Sequence, residues 1–490
     1  MLADSPEWRR SPKKDGVTGC KRDNGSVLPR MAVINVVGLT GSLIGPAMPN
    51  IARFRDQGTQ TRIRPAFPAV TCTAQSNYLT GTAPSGHGIV ANGWYDRALA
   101  EVHFWKQSNR LVAGPKIWDA LRARDPGFTC AQLFWWFNMY STADFSITPR
   151  PAYPADGRKV FDIYSWPPTI RTEIKRDLGE FPFPAFWGPA AGVAGPHGSA
   201  DAASRWIAEA ARWIEQKYSP SLNLVYLPHL DYNLQRHGPA GAGIAADLKA
   251  IDAIVGDLMA FLRSRGVAVV LLSEYGIGAV DTPVHLNRVF RREGWITIKE
   301  ELGLELLDCG ASKVFAVADH QVAHIYLNDP SLQSRARDLV ASQPGVESVL
   351  GAKEKIELGL DHPRAGDMIA VASERAWFTY YYWLDDAVAP DFARCVDIHR
   401  KPGYDPVELF LDPTIPLVKA KILWKLLQKK LGFRMLMDVV PLDANLVKGS
   451  HGRPTVRPED QPVLLCERPD ASLPPEIDST DVFGLLKRLI

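Results

Sequence analysis

Residues 67–89 of the chain read FPAVTCTAQSNYLTGTAPSGHGI, and this stretch is the most informative part of the sequence. An apolar run broken by Pro68 leads to Thr71, and residues 72–80 then have the composition of a short helix that Gly81 would end. Thr71 is therefore expected at a helix N-terminus, where unpaired N–H groups and the positive end of the helix dipole can hold a phosphoryl group. Its hydroxyl would face that group as a nucleophile. The alternative is that Thr71 only caps the helix, because threonine is a favoured N-cap residue.

The spacing T-x8-T-G-x-x-P-S-x-H-G-I favours the nucleophile over the cap. It resembles the nucleophile segment of the nucleotide pyrophosphatase/phosphodiesterase family, in the alkaline phosphatase superfamily, and the NGWYD at residues 92–96 continues the resemblance. The residues that carry it are Thr71, Thr80, Gly81, Pro84, Ser85, His87, Gly88 and Ile89. The resemblance implies that Thr71 is the nucleophile.

The resemblance covers most of residues 31–455 and implies an α/β fold with an alkaline phosphatase-like, parallel-rich sheet, helices on both faces and an inserted α+β cap. The apolar run Ala32–Val37 is typical of a strand buried on both faces of such a sheet. We expect residues 31–282 and 405–490 to form the core and residues 283–404 to form the cap region. Residues 1–30 scatter basic side chains among Gly, Ser and Pro, and we expect a disordered N-terminal extension.

Composition excludes several classes of protein. The chain has 490 residues, 46% of them hydrophobic and 22% charged, which is ordinary for a large globular protein. A formal net charge of +2 gives no indication of a nucleic acid polymer as partner. The six cysteines include no C-x-x-C pair, which argues against a zinc ribbon or a disulfide framework and favours a reducing compartment. We find no transmembrane run and no secretory signal, and we expect a cytoplasmic protein; the oligomeric state stays open.

Three further segments resemble the metal-binding motifs of the family, and each departs from them. Val37 stands where the family has a metal-binding Asp at the end of the first strand. The segment from Asp231 to Pro239 resembles D-x-x-x-H-x-x-G-P, but Gln235 replaces the His; His237 is a candidate substitute. Residues 273–276, Ser-Glu-Tyr-Gly, resemble S-D-H-G, so Glu274 keeps a carboxylate and Tyr275 replaces an imidazole. Residues 449–452 resemble G-[ST]-H-G and retain its ligand, His451.

In the family, two zinc ions align the Thr hydroxyl with a phosphoryl group, and a phosphothreonine intermediate is then hydrolysed. We expect a metal-dependent hydrolase of phosphodiester or pyrophosphate bonds in small phosphorylated substrates, with Thr71 as nucleophile. We expect one divalent ion, zinc, rather than two, held by Asp231, His451, Glu274 and His237, with Tyr275 and Gln235 contacting the substrate. The alternative is a catalytically degenerate relative that binds a phosphorylated ligand or acts as a scaffold in a biosynthetic pathway.

Other patterns leave two interpretations open. The aromatic residues of segment 94–140 would pack in the core, or they would wall a pocket for a flat or apolar group. Residues 314–327 are consistent with a single strand that would place His320 and His324 on one face, about 13 Å apart. Residues 419–434 form a basic amphipathic pattern, either a helix that packs its leucines inward or one that lies on an anionic membrane surface. Asp397 and His399 would belong to a structural polar network or would replace missing ligands.

Overall fold

The computed structural model describes residues 28–454, 457–467 and 472–490. All but the last three residues of the expected N-terminal extension lie outside the described residues. The strands are β1 (Met31–Val36), β2 (Thr59–Arg64), β3 (Gly93–Asp96), β4 (Glu101–Phe104), β5 (Cys130–Leu133), β6 (Phe145–Pro149), β7 (Ile163–Trp166), β8 (Leu222–Leu227), β9 (Ala268–Leu272), β10 (Gly278–Ala279), β11 (Thr282–Val284), β12 (Thr297–Glu301), β13 (Leu304–Asp308), β14 (Val314–Asp319), β15 (Val322–Leu327), β16 (Val346–Leu350), β17 (Met368–Ala372), β18 (Ala376–Phe378), β19 (Gly449–Ser450), β20 (Val463–Cys466) and β21 (Glu476–Asp478).

The helices alternate with these strands in the first half of the chain, as expected for an α/β fold. They are α1 (Pro49–Gln57), α2 (Thr71–Thr80), α3 (Pro84–His87), α4 (Ile117–Arg122), α5 (Thr169–Leu178), α6 (Ala202–Tyr218), α7 (His229–His237), α8 (Ile244–Ser264), α9 (Leu286–Arg292), α10 (Gln333–Ala341), α11 (Ala352–Glu357), α12 (Val418–Lys430) and α13 (Asp481–Leu489). In the part of the chain that the structure describes, no helix is long and apolar enough to cross a membrane.

The main sheet has nine strands in the order β21-β2-β20-β9-β1-β8-β5-β6-β7. Its centre is parallel: β1 pairs with β8 and β9, and β5 pairs with β8 and β6. Every residue of β1 and β8 is buried, because helices cover the sheet, and this is why both strands are near-continuous apolar runs. The carboxyl ends of β8, β1 and β9 meet at one edge, where open α/β sheets keep their ligands.

A second sheet has the order β14-β15-β17-β16 and is antiparallel throughout, with α10 beside β16. It has its own hydrophobic core, and in the chain it lies between β9 and β20 of the main sheet. The expected α/β fold, with a parallel-rich sheet and an inserted α+β cap, is therefore confirmed.

Two local expectations were wrong. Residues 314–327 do not form one strand, because the chain reverses at His320, whose φ of 60° is in the left-handed region, and β14 pairs with β15 as a hairpin. His320 and His324 therefore do not share one face of a strand. The leucines of α12 do not pack inward: no residue of that helix is buried.

Candidate active site

Helix α2 begins at Thr71 and is buried along its whole length. The residue in the N-cap position is Val70, and no side chain makes a capping hydrogen bond there. The capping role for Thr71 is therefore wrong. The hydroxyl of Thr71 lies 3.2 Å from that of Tyr275, and either can donate. Gly81, with φ of 68°, ends the helix in a left-handed conformation that favours glycine.

The NGWYD segment connects the start of α2 to the cap hairpin. Oδ1 of Asn92 accepts a hydrogen bond from the backbone N–H of Cys72 at 3.0 Å. The backbone N–H and the side-chain amide of Asn92 both donate to the carboxyl of Asp319, at 2.8 and 3.1 Å. One N–H of the helix terminus is thus already satisfied, and the hairpin is fixed against the end of α2 that carries Thr71.

A chain of hydrogen bonds leads away from Thr71 along the edge of the sheet. The hydroxyl of Tyr275, just past β9, donates to Oδ1 of Asp231 at 3.2 Å. Asp231 lies in the first turn of α7, just past β8, and its Oδ2 accepts from the amide of Gln235 at 2.7 Å. The hydroxyl of Tyr404 donates to the other end of that amide at 3.0 Å. Burial raises the pKa of Asp231 to about 7, and the hydrogen bonds from Gln235 and Tyr275 offset part of the shift.

Glu274 is fully buried next to Tyr275. Its Oε1 accepts hydrogen bonds from the amides of Gln75, at 2.6 Å, and Asn35, at 2.5 Å. Its Oε2 has no hydrogen-bond partner among the described residues. Burial raises the pKa of Glu274 to about 8, and the hydrogen bonds from Gln75 and Asn35, together with the nearby Thr71 hydroxyl, offset part of the shift. Thr71, the candidate nucleophile, thus lies beside the carboxyl of Glu274 and is linked to the carboxyl of Asp231 through the hydroxyl of Tyr275.

His451 is held in one tautomer. Its Nδ1 donates to the carbonyl of Ala69 at 2.7 Å, so Nε2 carries the lone pair, and this atom has no partner among the described residues. Burial lowers the pKa of His451 to about 3, so the ring is neutral near neutral pH. The ring stacks on Tyr275, at 3.5 Å between centroids, and on its other side lies 3.6 Å from the centroid of His320, whose ring is tilted by 36°. His320 in turn stacks on Tyr404 at 3.7 Å.

Thr71 faces a cavity of about 100 Å³ with strongly aromatic walls. Trp105 and Trp136 contribute to these walls, whereas Trp94 and Trp118 are core residues, so the aromatic segment serves both purposes. His399 also lines the cavity, and its Nδ1 lies 3.3 Å from a backbone carbonyl. The other residues that line the cavity are Gln107, Pro149, Pro151, Tyr153, Lys159, Phe183, Phe186, Trp187, Tyr226, Pro228, Asp231, Tyr232, Tyr275, His320, Val396, Ile398 and Tyr404.

The structure brings together six of the seven candidate site residues and leaves one apart. His237 is exposed at the last turn of α7 and does not line the cavity. It lies six residues after Asp231, about 9 Å along the helix and on a different face, so the two cannot share one cation. Tyr404 is a site residue that the sequence did not single out, and His320 was considered only as a strand residue too far from His324 to share a metal ion with it. The His-Gln pair between two apolar runs was a turn signal, because His is enriched at positive φ.

The side chains do not fit the two-zinc arrangement of the family. Val37 is buried and offers no ligand. Asp231 already accepts hydrogen bonds at both oxygens, so a cation there would have to displace two donors. Within residues 28–454, 457–467 and 472–490, no group of three or more His, Cys, Asp and Glu side chains is close enough to hold a metal ion. Nε2 of His451 is unpaired among the described residues and its ring is oriented through Nδ1, a state that is typical of a metal ligand.

Comparisons with known proteins agree with this fold. The family described as type I phosphodiesterase / nucleotide pyrophosphatase matches residues 31–405. An uncharacterized pyrophosphatase/phosphodiesterase of Schizosaccharomyces pombe is 22% identical over 301 residues, which are 57% of this chain and 53% of that protein. The chain thus spans about half the length of this relative.

Two solved structures have the same fold at low identity. Phosphonoacetate hydrolase from Sinorhizobium meliloti, in complex with phosphonoformate, has a TM-score of 0.59 at 15% identity, covering 94% of this chain and 95% of that one. An inactive threonine-to-alanine variant of murine ectonucleotide pyrophosphatase / phosphodiesterase 5, in complex with AMP, has a TM-score of 0.55 at 14% identity and covers 94% of each chain. Since the family match extends over most of the sequence, the chain belongs to the type I phosphodiesterase / nucleotide pyrophosphatase family.

Proposed function

We propose that the protein hydrolyses small phosphoric esters that carry a flat or apolar group, with Thr71 as nucleophile. The observation that carries this proposal is the position of the Thr71 hydroxyl. It lies at the buried N-terminus of α2, opens into the aromatic cavity, and is next to Tyr275 and Glu274. The murine relative that binds AMP is inactive as a threonine-to-alanine variant, which is consistent with a threonine nucleophile in the family.

The two buried carboxyls give the site a way to activate the hydroxyl. With pKa values raised to about 8 for Glu274 and about 7 for Asp231, the pair retains a proton near neutral pH. Because the pKa of Glu274 is the higher of the two, the shared proton rests mainly on Glu274, and the active state is the minor arrangement in which Glu274 is ionised and Asp231 is protonated. Asp231 then donates to the Tyr275 phenol, the phenol donates to Oγ1 of Thr71, and the Thr71 proton is directed to Glu274.

In the first step Glu274 takes the Thr71 proton as Oγ1 bonds to phosphorus and the ester oxygen leaves. The phenol of Tyr275 stabilises the negative charge that develops on Oγ1; burial keeps its pKa well above the usual value, so it stays a donor. In the second step water attacks phosphothreonine, and Glu274 returns its proton to Thr71 as the P–O bond breaks. The aromatic walls exclude bulk water and hold the apolar part of the ester.

The proton transfers above use only side chains of the protein, and a bound metal ion would add to them. Members of the family are generally dependent on divalent ions, which polarise phosphoryl oxygens when bound. Here the donor set does not fit two ions, and the single zinc ion expected from the sequence at Asp231 and His451 stays a prediction that metal analysis tests.

The decisive experiment compares Thr71→Val with wild type on an aryl phosphodiester. The variant keeps the shape of the side chain, and we expect loss of turnover, with a small stability change of about 1 kcal/mol for one lost hydrogen bond. Thr73→Val is the matched control: Thr73 is equally buried in α2 and bonds only the carbonyl of Ile89, at 3.3 Å. It should turn over ester like wild type.

Acid-quenched wild type should contain phosphate on Thr71 by mass spectrometry. Turnover by Thr71→Val at the wild-type rate would refute the nucleophile. Ester binding without turnover in wild type would instead support the catalytically degenerate alternative.

A further inference from the structure

Helix α12, Val418–Lys430, has its apolar face toward solvent. Leu423 is 70% exposed and Trp424 is 58% exposed, and Leu426 and Leu427 are exposed as well. With 100° per residue these four side chains occupy the same half of the helix. A helix of a globular protein normally buries that half, so this orientation leaves an apolar surface without a partner in the described chain.

The polar side of the helix fixes this orientation. Lys421 and Lys425 form ion pairs with Asp438, at 2.9 and 3.3 Å. The ammonium of Lys429 donates to the carbonyl of Lys159 at 3.3 Å and lies 5.4 Å from the centre of the Phe161 ring. Three lysines therefore attach the helix to the protein surface, and the leucines necessarily face away from it.

The apolar surface continues past both ends of the helix. Leu417, Leu431, Phe433 and Leu436 are all exposed. Between Asp412 and Asp438 the sequence has no acidic residue. Lys419 and Lys430, which form no ion pair with any residue that the structure describes, are exposed on the leucine side. We call residues 417–436 the basic-apolar surface.

We propose that the basic-apolar surface docks on an anionic lipid bilayer. Leucines and aromatic rings would enter the boundary between headgroups and acyl chains, while Lys419 and Lys430 would reach the phosphates. The helix has 13 residues, which is about 20 Å and shorter than a hydrocarbon core of about 30 Å, so it would lie in the plane of the membrane.

Docking would bring the entrance of the aromatic cavity close to the bilayer. Lys159, which bonds Lys429, lines that cavity. Phe161, under the same lysine, stacks on Phe183 at 4.7 Å, and Phe183 also lines the cavity. This part of the inference rests on the proposed function: the substrate would be an amphiphilic phosphoric ester whose hydrocarbon part enters from the membrane.

The test is sedimentation of the full chain with phosphatidylcholine vesicles, with and without one third phosphatidylglycerol. The variant Leu423→Glu/Leu427→Glu places two charges on the docking face, and Leu302→Glu is the matched control, because Leu302 is fully exposed in the turn between β12 and β13. We expect wild type and control to bind the anionic vesicles and the double variant to lose at least about tenfold in partitioning. Lys419→Gln/Lys430→Gln should weaken binding to anionic vesicles only.

Three results would overturn docking: wild type that stays in the supernatant, a double variant that binds like wild type, or a dimer in sedimentation that the double variant disrupts. The last result would assign the surface to a second copy of the chain. Turnover of a water-soluble aryl ester is expected to be the same in all these variants, since none lines the cavity. If wild type does not bind vesicles but hydrolyses the soluble ester, only the membrane inference is wrong. If wild type neither binds vesicles nor hydrolyses the soluble ester, the proposed hydrolase function is wrong as well.

Discussion

Glu274→Gln should make the protein more stable and much less active, and the two effects have the same physical cause. Glu274 is fully buried with one oxygen that has no partner, and burial raises its pKa from 4.5 to about 8. The folded chain therefore holds the proton more tightly than the unfolded chain does. The stability associated with the protonated carboxyl is complete below pH 4.5 and is lost as the pH rises toward 8.

The size of this effect follows from the shift. At 1.36 kcal/mol per pKa unit, ionised Glu274 costs the folded state about 5 kcal/mol above pH 8. Glutamine has no charge to bury, and its Oε1 can still accept from Gln75 and Asn35. We expect the free energy of unfolding of Glu274→Gln to be within about 1 kcal/mol of that of wild type at pH 5 and to exceed it by several kcal/mol at pH 8.5.

Turnover of the aryl ester should fall by about 10²–10⁴-fold, the usual contribution of a general base. The matched control is Glu215→Gln. Glu215 is equally buried but forms an ion pair with Arg30 at 2.5 Å, so its loss should lower stability at both pH values and leave turnover unchanged. Urea denaturation at the two pH values measures the first effect, and initial rates measure the second. A Glu274→Gln variant that is less stable than wild type at pH 8.5, or that keeps more than a tenth of its turnover, would refute the reasoning.

Two further predictions concern the same site. Because the active state needs one proton on the carboxyl pair, kcat/KM should follow a bell-shaped pH profile with limbs near 7 and 8. The variant Asp231→Asn mimics the protonated acid, so its profile should lack the fall in kcat/KM at high pH. A profile identical to that of wild type would exclude Asp231 from the pair. Metal analysis after dialysis should find less than one equivalent per chain, since the donors do not form a ligand cluster within the described residues. One tightly held equivalent that His451→Ala releases would instead support the single zinc ion expected from the sequence.

The sequence predicted the edge of the sheet where the site lies. Strands buried on both faces are apolar runs, so the polar residues after them, Asp231 and Glu274, had to lie at strand ends. It also predicted a helix with Thr71 at its N-terminus, because residues 72–80 have helical composition and Gly81 would end the helix. These features depend on residues close in the chain.

Contacts between distant segments could not be predicted in this way. His320 reaches His451 only because the cap hairpin turns there, and Tyr404 meets Gln235 from a loop with no regular pattern. The nearby Lys401, Asp405 and Glu408 form a buried ion-pair network, and the backbone N–H of Asp397 donates to Glu408 at 3.0 Å. The role of the Asp397 and His399 side chains stays a prediction. The orientation of α12 was also missed, since its pattern shows an apolar half but not which half contacts the protein.

The substitutions at the site form a consistent set when charge is counted. Two zinc ions supply four positive charges, and the carboxylates of the family's ligand set balance them. Without such ions, an aspartate at position 37 would add a third buried acid beside Glu274 and Asp231, and each uncompensated charge costs several kcal/mol. Val37 removes that charge. Gln235 and Tyr275, where the family has imidazoles that bind metal, donate hydrogen bonds to the two oxygens of Asp231. Each of the three replacements thus lowers the electrostatic free-energy cost of a site without a cation. We therefore expect Val37, Gln235 and Tyr275 to compensate jointly for an absent cation rather than to be three unrelated losses of a ligand.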